Sequence, residues 1–164
     1  KEWQDRLGPK TQQRIGIGWS GRRDTWINRH KAVKFENIVD LIKRNPGHQW
    51  INLQADATDE ENRVLSELGV YQYPNSIKDW SDTAGLVHHL DLVIGVDTSV
   101  SHLAGALGRP LWVMLPQYAL DWRWLLDRDD SPWYPSAKLF RQPVRGDWNS
   151  VVDRITQYLG WWKN

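Results

Sequence analysis

Hydrophobic and polar positions alternate between two regimes along the chain: short β-rich runs of strand length, and longer stretches whose apolar residues recur at helical spacing. Arg14-Ile15-Gly16-Ile17-Gly18-Trp19-Ser20 reads as a first strand closed by Gly21, although two interior glycines weaken the pattern. After a polar loop from Arg22 to Lys34, Phe35, Ile38, Val39, Leu41 and Ile42 share one helical face that ends at Asn45-Pro46-Gly47. Gln49 to Leu53 is a second strand. It leads into a helix over 57–68, where Thr58 with Glu61 three residues later forms a capping box and Gly69 a stop.

Val70 to Tyr73 predicts a short third strand ended by Pro74. Asp79 to Ser81 reads as loop, and Asp82 as the cap of a helix carrying Ala84, Leu86, Val87 and Leu90. Leu92-Val93-Ile94-Gly95-Val96, bounded by Asp91 and Asp97, is the clearest buried strand, because it is apolar at every position rather than every second one. Helical spacing returns from Thr98 to Leu107 and stops at Gly108; Leu111 to Leu115 is a fifth strand. A short aromatic helix over 118–126, a sixth strand over 138–142 and a terminal helix carrying Trp148, Val151, Val152, Ile155, Tyr158 and Leu159 complete the reading.

Strands separated by crossover helices imply a mostly parallel sheet covered on both faces, a three-layer α/β Rossmann-like domain. The default strand order for six such strands is 3-2-1-4-5-6 with right-handed crossovers. At 164 residues there is room for one domain of common size and for a core without covalent staples. Segment 1–13 is expected to be a linker or lobe-connecting piece and 14–164 the folded unit. The chain opens on Lys1 with no signal-peptide pattern, which suggests a piece cut from something longer.

Composition narrows the chemistry. There is no cysteine, so thiolate nucleophiles, disulfides and Cys-ligated metals are excluded. Lys and Arg number 21 against 20 Asp and Glu, a net charge of +1 that lacks the basic excess of a nucleic-acid binder. No apolar run approaches the roughly 20 residues that span a bilayer. His88 and His89 are adjacent and would point differently on a helix, and neither HExxH nor EF-hand spacing occurs, so no metal site is expected.

Open parallel sheets bind ligands beyond the carboxyl ends of their strands. The segment Asp97-Thr98-Ser99-Val100-Ser101-His102 therefore stands out: a helix starting there offers unpaired amides, hydroxyls and an imidazole to a phosphate or diphosphate. The competing reading is simple capping of that helix. Asp97 would repel a phosphate and is assigned to holding the turn. His102 either donates to a phosphoryl oxygen or packs at the helix start. Ser20-Gly21 and the basic loop carrying Arg22, Arg23, Arg29 and Lys31 could bring amides and positive charge to the same ligand. No GxxxxGK[ST] is present, and Gly16-Ile17-Gly18 lies inside a strand, so ATPase and classical NAD fingerprints are missing. Of the 12 Trp residues, Trp122, Trp124 and Trp133 lie near the suspected rim, where core packing, base or sugar packing and an interface with an absent domain compete. Asp127, Asp129 and Asp130 with Arg123 and Arg128 read as a solvated turn with local ion pairs.

The stretch from Asp82-Thr83-Ala84 through Asp91-Leu92-Val93-Ile94-Gly95-Val96-Asp97-Thr98-Ser99-Val100-Ser101-His102-Leu103-Ala104-Gly105 to Pro110 resembles the signature of bacterial glycosyltransferases related to ADP-heptose:lipopolysaccharide heptosyltransferases. Together with Trp19-Ser20-Gly21, Leu53-Gln54, Asp121 to Arg128 and Ser131-Pro132-Trp133-Tyr134-Pro135, it is more similar still to glycosyltransferase domains that follow tetratricopeptide repeats. The resemblance implies one lobe, the C-terminal one, of a two-lobed GT-B enzyme that is inverting and independent of metal. It implies a nucleotide diphosphate-sugar as donor substrate rather than a cofactor, with Ser20, Gly21, Thr98, Ser99 and His102 around the diphosphate, Arg29 or Lys31 as the loop cation, and Gln54 and Thr83 toward the nucleoside.

In the resembled family the general base comes from the N-terminal lobe, so this chain alone is expected to be inactive, with His102 at most stabilising the leaving phosphate. The acceptor would be a glycan, lipopolysaccharide or protein, the missing N-terminal lobe and tetratricopeptide repeats would be partners, nucleic acid would not, and the location would be the cytoplasm or the inner-membrane periphery. Two positions depart from the family: Ser99 where Asp-Thr-Gly is usual, and Gln54 where a Glu is usual. A noncatalytic nucleotide- or carbohydrate-binding module is the alternative function, and an interaction scaffold without nucleotide binding a third.

Overall fold

The computed structural model describes residues 2–23, 25–73, 75–118 and 121–162. Five strands, β1 (Arg14–Gly18), β2 (Gln49–Asn52), β3 (Leu92–Val96), β4 (Leu111–Leu115) and β5 (Ala137–Arg141), form a sheet ordered β2-β1-β3-β4-β5 in which every neighbouring pair is parallel. The helices are α1 (Glu2–Leu7), α2 (Trp26–Lys31), α3 (Phe35–Arg44), α4 (Asp59–Glu67), α5 (Trp80–His88), α6 (Ser99–Ala106) and α7 (Trp148–Trp161), with a 3-10 turn at Trp122–Trp124.

The sheet divides the core into two layers. On one face Ile15, Ile17, Ile94, Val96, Trp112 and Met114 pack under α3 and α7; on the other Val93, Leu111, Val113 and Leu115 pack under α5 and α6. β3 and β4 are therefore buried on both sides, which accounts for their unbroken apolar sequences. Gly16 lets β1 persist despite its poor strand propensity: a Cβ there would stand 2.4 Å from one Leu53 methyl and 2.6 Å from one of Leu90. Segment 1–13 carries α1, whose Trp3 and Leu7 are buried on the α5 face, with Trp3 lying against Gly85.

Three sequence expectations need correction. Val70–Tyr73 does not make a strand; it contributes one parallel bridge, Tyr71 to Ile51, at the outer edge of β2. Pro74 follows, and the Gln72 amide is drawn toward α4, where Nε2 donates to Asn62 O at 2.9 Å and Ser66 Oγ at 2.8 Å. With that bridge counted, the order is the expected 3-2-1-4-5-6. α5 begins at Trp80 with Asp79, not Asp82, as its cap, because the Asp79 carboxylate accepts from the amides of both Ser81 and Asp82. The aromatic helix expected over 118–126 is reduced to the 3-10 turn, with Ala119 and Leu120 outside the described residues. Other elements follow the reading: α4 carries the Thr58–Glu61 capping box, with Thr58 Oγ1 accepting from Glu61 N at 3.2 Å and Glu61 accepting from Thr58 N at 2.8 Å. Among the described residues no helix is long and apolar enough to cross a membrane.

Candidate functional site

Because all five strands run the same way, their carboxyl ends meet on one rim, and a cavity of about 740 Å³ opens there above β1, β2 and β3. Gly18, Ser20 and Gly21 beyond β1, Gln54 and Asp56 beyond β2, and Thr98, Ser99 and Val100 at the start of α6 line it. Tyr73, Ile77, Trp80 and the buried Thr83 form its far wall. Of the nine residues singled out in the sequence, six thus share one cavity: Ser20, Gly21, Gln54, Thr83, Thr98 and Ser99.

The β1 loop is shaped by Gln54. Its side-chain oxygen accepts from the amides of Trp19 (3.0 Å) and Ser20 (2.9 Å), and its Nε2 donates to Ser20 O (2.9 Å) and to Asp56. Only 8% of Gln54 is exposed, so its polar atoms serve the loop's path first. Arg22 lines the cavity, whereas Arg23 turns back to Glu61 (2.6 Å) and Asp56 (3.6 Å). Burial raises the Glu61 carboxyl, but bonds from Arg23 and the Thr58 amide outweigh it and hold the group below its ordinary value.

The turn from β3 into α6 differs from the starts of α4, α5 and α7. Asp79 caps α5, Thr58 caps α4 and Asp147 caps α7, each through a side-chain oxygen that accepts from a first-turn amide. Thr98 occupies the same position before α6 in extended conformation, yet makes no such bond; its hydroxyl donates instead to Val96 O at 3.4 Å. Ser101 likewise turns its hydroxyl back to Val96 O at 2.7 Å. The first-turn amides of α6 are thereby not engaged by their cap residue, at the edge of a cavity lined by Thr98 and Ser99.

Asp97, 9% exposed, points away from this cradle. Its Oδ2 accepts from Lys31 Nζ and its Oδ1 from His102 Nε2 at 3.1 Å. Burial alone would raise this carboxyl; the His102 and Lys31 bonds reverse the sign and hold its pKa at about 2. His102 Nδ1 stands 2.9 Å from the Tyr134 hydroxyl. Lys31 and His102, expected at the diphosphate, thus do not line the cavity but hold Asp97, the residue before Thr98. Arg29 lies in α2, and its side chain is outside the described residues.

Sequence reasoning missed the wall residues Asn52 and Asn62, since only the fold brings α4 to this opening. Trp124 is fully buried against His102, whereas Trp122 and Trp133 pack edge to face at 4.6 Å on the surface and do not line the cavity. In the acidic turn Arg128 pairs with Asp130 as expected, whereas Asp129 pairs with Lys138 of β5 and Arg123 with Asp121. Among the described residues no three His, Asp or Glu side chains are grouped to hold a metal ion.

Residues 79–114, running from the α5 cap to within β4, match glycosyltransferase family 9 (heptosyltransferase). The chain is 30% identical over 162 residues to protein FlbA of Caulobacter vibrioides, a match that covers 94% of this chain and 26% of FlbA. Its fold is similar to that of E. coli ADP-heptose lps heptosyltransferase II (TM-score 0.68, 15% identity, 97% of this chain and 49% of that one). E. coli heptosyltransferase WaaC, solved with ADP-2-deoxy-2-fluoro heptose, is similar too (TM-score 0.63, 16% identity, 93% and 44%). The chain spans about half the length of these solved structures and about a quarter of FlbA. It has the Rossmann-like fold of one lobe of such GT-B glycosyltransferases.

Proposed function

We propose that this chain is the donor-binding lobe of a glycosyltransferase, which moves a sugar from a nucleotide diphosphate-sugar to a glycan, lipopolysaccharide or protein acceptor. The observation that carries this reading is the start of α6, whose first-turn amides are left unengaged by Thr98 at the edge of the cavity. A diphosphate there meets the positive end of a helix dipole and the Ser99 hydroxyl, and the hydroxyls of Thr98 and Ser20 turn to it from the carbonyls of Val96 and Gly21. The nucleoside extends toward Tyr73, Trp80 and Thr83, where the wall combines aromatic faces with polar groups.

In this reading negative charge grows on the diphosphate as the glycosidic bond breaks, and preoriented amides and hydroxyls stabilise it without a divalent ion. Transfer with inversion needs a base opposite the leaving group, and the lining carboxylates already have tasks: Asp56 accepts from Gln54 and Arg23, and Asp79 caps α5. The base and the acceptor site are therefore assigned to a second lobe outside this chain, together with any tetratricopeptide repeats, and the chain alone binds donor without transferring sugar. That same shortage of an uncommitted carboxylate favours the second reading, a noncatalytic nucleotide- or carbohydrate-binding module.

Calorimetry with ADP, GDP and UDP, with and without EDTA, tests the first step. Saturable binding of one nucleotide, insensitive to EDTA and weakened by Thr98→Ala and Ser99→Ala in a folded protein, is expected. No binding across the panel sinks the donor-site reading, and loss of binding on chelation sinks its metal-free form. Sugar transfer by the intact protein separates enzyme from module.

A further inference from the structure

Tyr134 lies outside the cavity and 32 residues beyond His102, yet its hydroxyl meets His102 Nδ1 at 2.9 Å. The opposite ring nitrogen meets Asp97 at 3.1 Å. A carboxylate held ionised only accepts, so Nε2 must carry the hydrogen. In the neutral ring Nδ1 is then an acceptor, and the phenol must donate to it. For the neutral ring the order of donation is Tyr134 to His102 to Asp97, with Lys31 donating to the other carboxylate oxygen. The surroundings hold this chain in place. The imidazole stacks on Trp124 at 5.2 Å and 21°, and Tyr134 fits over Gly105, where a Cβ would stand 2.5 Å from its ring. Asp97 and Lys31 have side chains only 5% and 13% exposed, so water competes little for these bonds.

Asp97 immediately precedes Thr98 and Ser99. Whatever holds its carboxylate also sets where the α6 amides face, and Lys31 ties the same point to the β1 loop that carries Ser20. We propose that Tyr134 is a positioning residue for the donor site: by donating to Nδ1 of the His102 tautomer that Asp97 selects, it holds the ring against Asp97, and through Asp97 the turn that presents the α6 amides to the diphosphate. The proposal rests on the donor-site reading above. It assigns His102 to the brace rather than to direct phosphate contact, and gives the segment 124–134 a task at the site although it lines no part of it.

Nitrogen-15 spectra of this chain at pH 8, with ring nitrogens labelled, and titration with the best-bound of ADP, GDP and UDP test it together. The expected wild-type spectrum shows His102 as the Nε2–H tautomer; Tyr134→Phe moves the Nδ1 resonance and weakens nucleotide binding about threefold to tenfold, the range for one lost hydrogen bond. His102→Gln, which can donate to Asp97 and accept from Tyr134, recovers binding lost in His102→Ala. An Nδ1–H tautomer overturns the proposal, as does binding unchanged in Tyr134→Phe or a Gln variant as weak as Ala. A wild type with the stated tautomer but no nucleotide binding overturns the donor-site reading and the proposal with it, and the spectrum shows that the brace itself was not at fault. A change in melting temperature without a change in binding counts as a purely structural role and also overturns it.

Discussion

Gln54 and Ser20 exchange hydrogen bonds in both directions: the Ser20 amide donates to the Gln54 side-chain oxygen at 2.9 Å, and the Gln54 Nε2 donates to the Ser20 carbonyl at 2.9 Å. A carboxamide can do this and an ionised carboxylate cannot, since the amide carries a donor and an acceptor on one planar group. The pair welds the end of β1 to the end of β2, and so sets one edge of the cavity.

Replacing Gln54 by Glu keeps the size and the acceptor but deletes the donor. Ser20 O loses its partner, and a new carboxylate faces Asp56, which now accepts from Gln54 Nε2. The expected cost is about 1 to 3 kcal/mol in urea unfolding at pH 7, because a half-buried carbonyl loses its partner and two like charges are brought together. The cost should shrink in acid, where the introduced carboxylate protonates and regains a donor. A Glu variant as stable as wild type at pH 7 would mean that the reciprocal pair does not hold the loop.

Asp97 gives a pH signature with a definite sign. Its folded pKa of about 2 lies below the ordinary 3.8, so its contribution is complete above pH 4 and disappears as pH falls through 2. A depression of this size corresponds to about 2 kcal/mol. The stability gap between wild type and Asp97→Asn, measured by denaturant unfolding from pH 4 downward, should narrow by about that amount by pH 2. A gap that stays constant through this window would show that Lys31 and His102 do not hold the carboxylate as described.

The contrast between Asp97 and its neighbours also shows what a linear sequence reveals. Unbroken apolar runs at β3 and β4 announce strands buried on two faces, and the residues after them announce the rim, because both follow from local periodicity and the direction of a parallel sheet. Six of the nine residues singled out that way line one cavity. The partners that decide what the other residues do are remote: Lys31 is 66 positions from Asp97, and Tyr134 is 32 from His102. Nothing local distinguishes a lysine bound for a phosphate from one bound for a buried carboxylate. The misplaced α5 cap is a closer contest, since Asp79 and Asp82 are both good cap residues and both bind nearby amides; Asp79 wins the two first-turn amides while Asp82 accepts from Lys78 N at 2.9 Å.

Gly95 offers a test from inside the sheet. A Cβ there would stand 2.7 Å from Ser101 Oγ, the hydroxyl that bonds Val96 O and ties the first turn of α6 to β3. Gly95→Ala must therefore displace Ser101, at an expected cost of about 1 to 3 kcal/mol. Gly95→Ala with Ser101→Ala relieves the clash, so the double variant should be more stable than the sum of the single changes, with a coupling of about 1 kcal/mol in a double-mutant cycle. Strict additivity would show that the two positions do not touch.

Thr98→Asp separates stability from binding. Aspartate caps α5 and α7 in this chain by accepting from first-turn amides, and the same residue at 98 should do so for α6, where the native hydroxyl does not. The gain expected from a cap and a favourable charge at the helix start is about 0.5 to 1 kcal/mol. The same carboxylate occupies the amides proposed for the diphosphate and places a negative charge against it, so nucleotide affinity should fall by more than about tenfold. Thermal unfolding and calorimetry on one preparation then move in opposite directions. If binding survives in a stabilised Thr98→Asp protein, the diphosphate does not sit at the α6 start. If both fall, Thr98 holds the turn through its hydroxyl rather than leaving the amides open, and the anion cradle is misplaced.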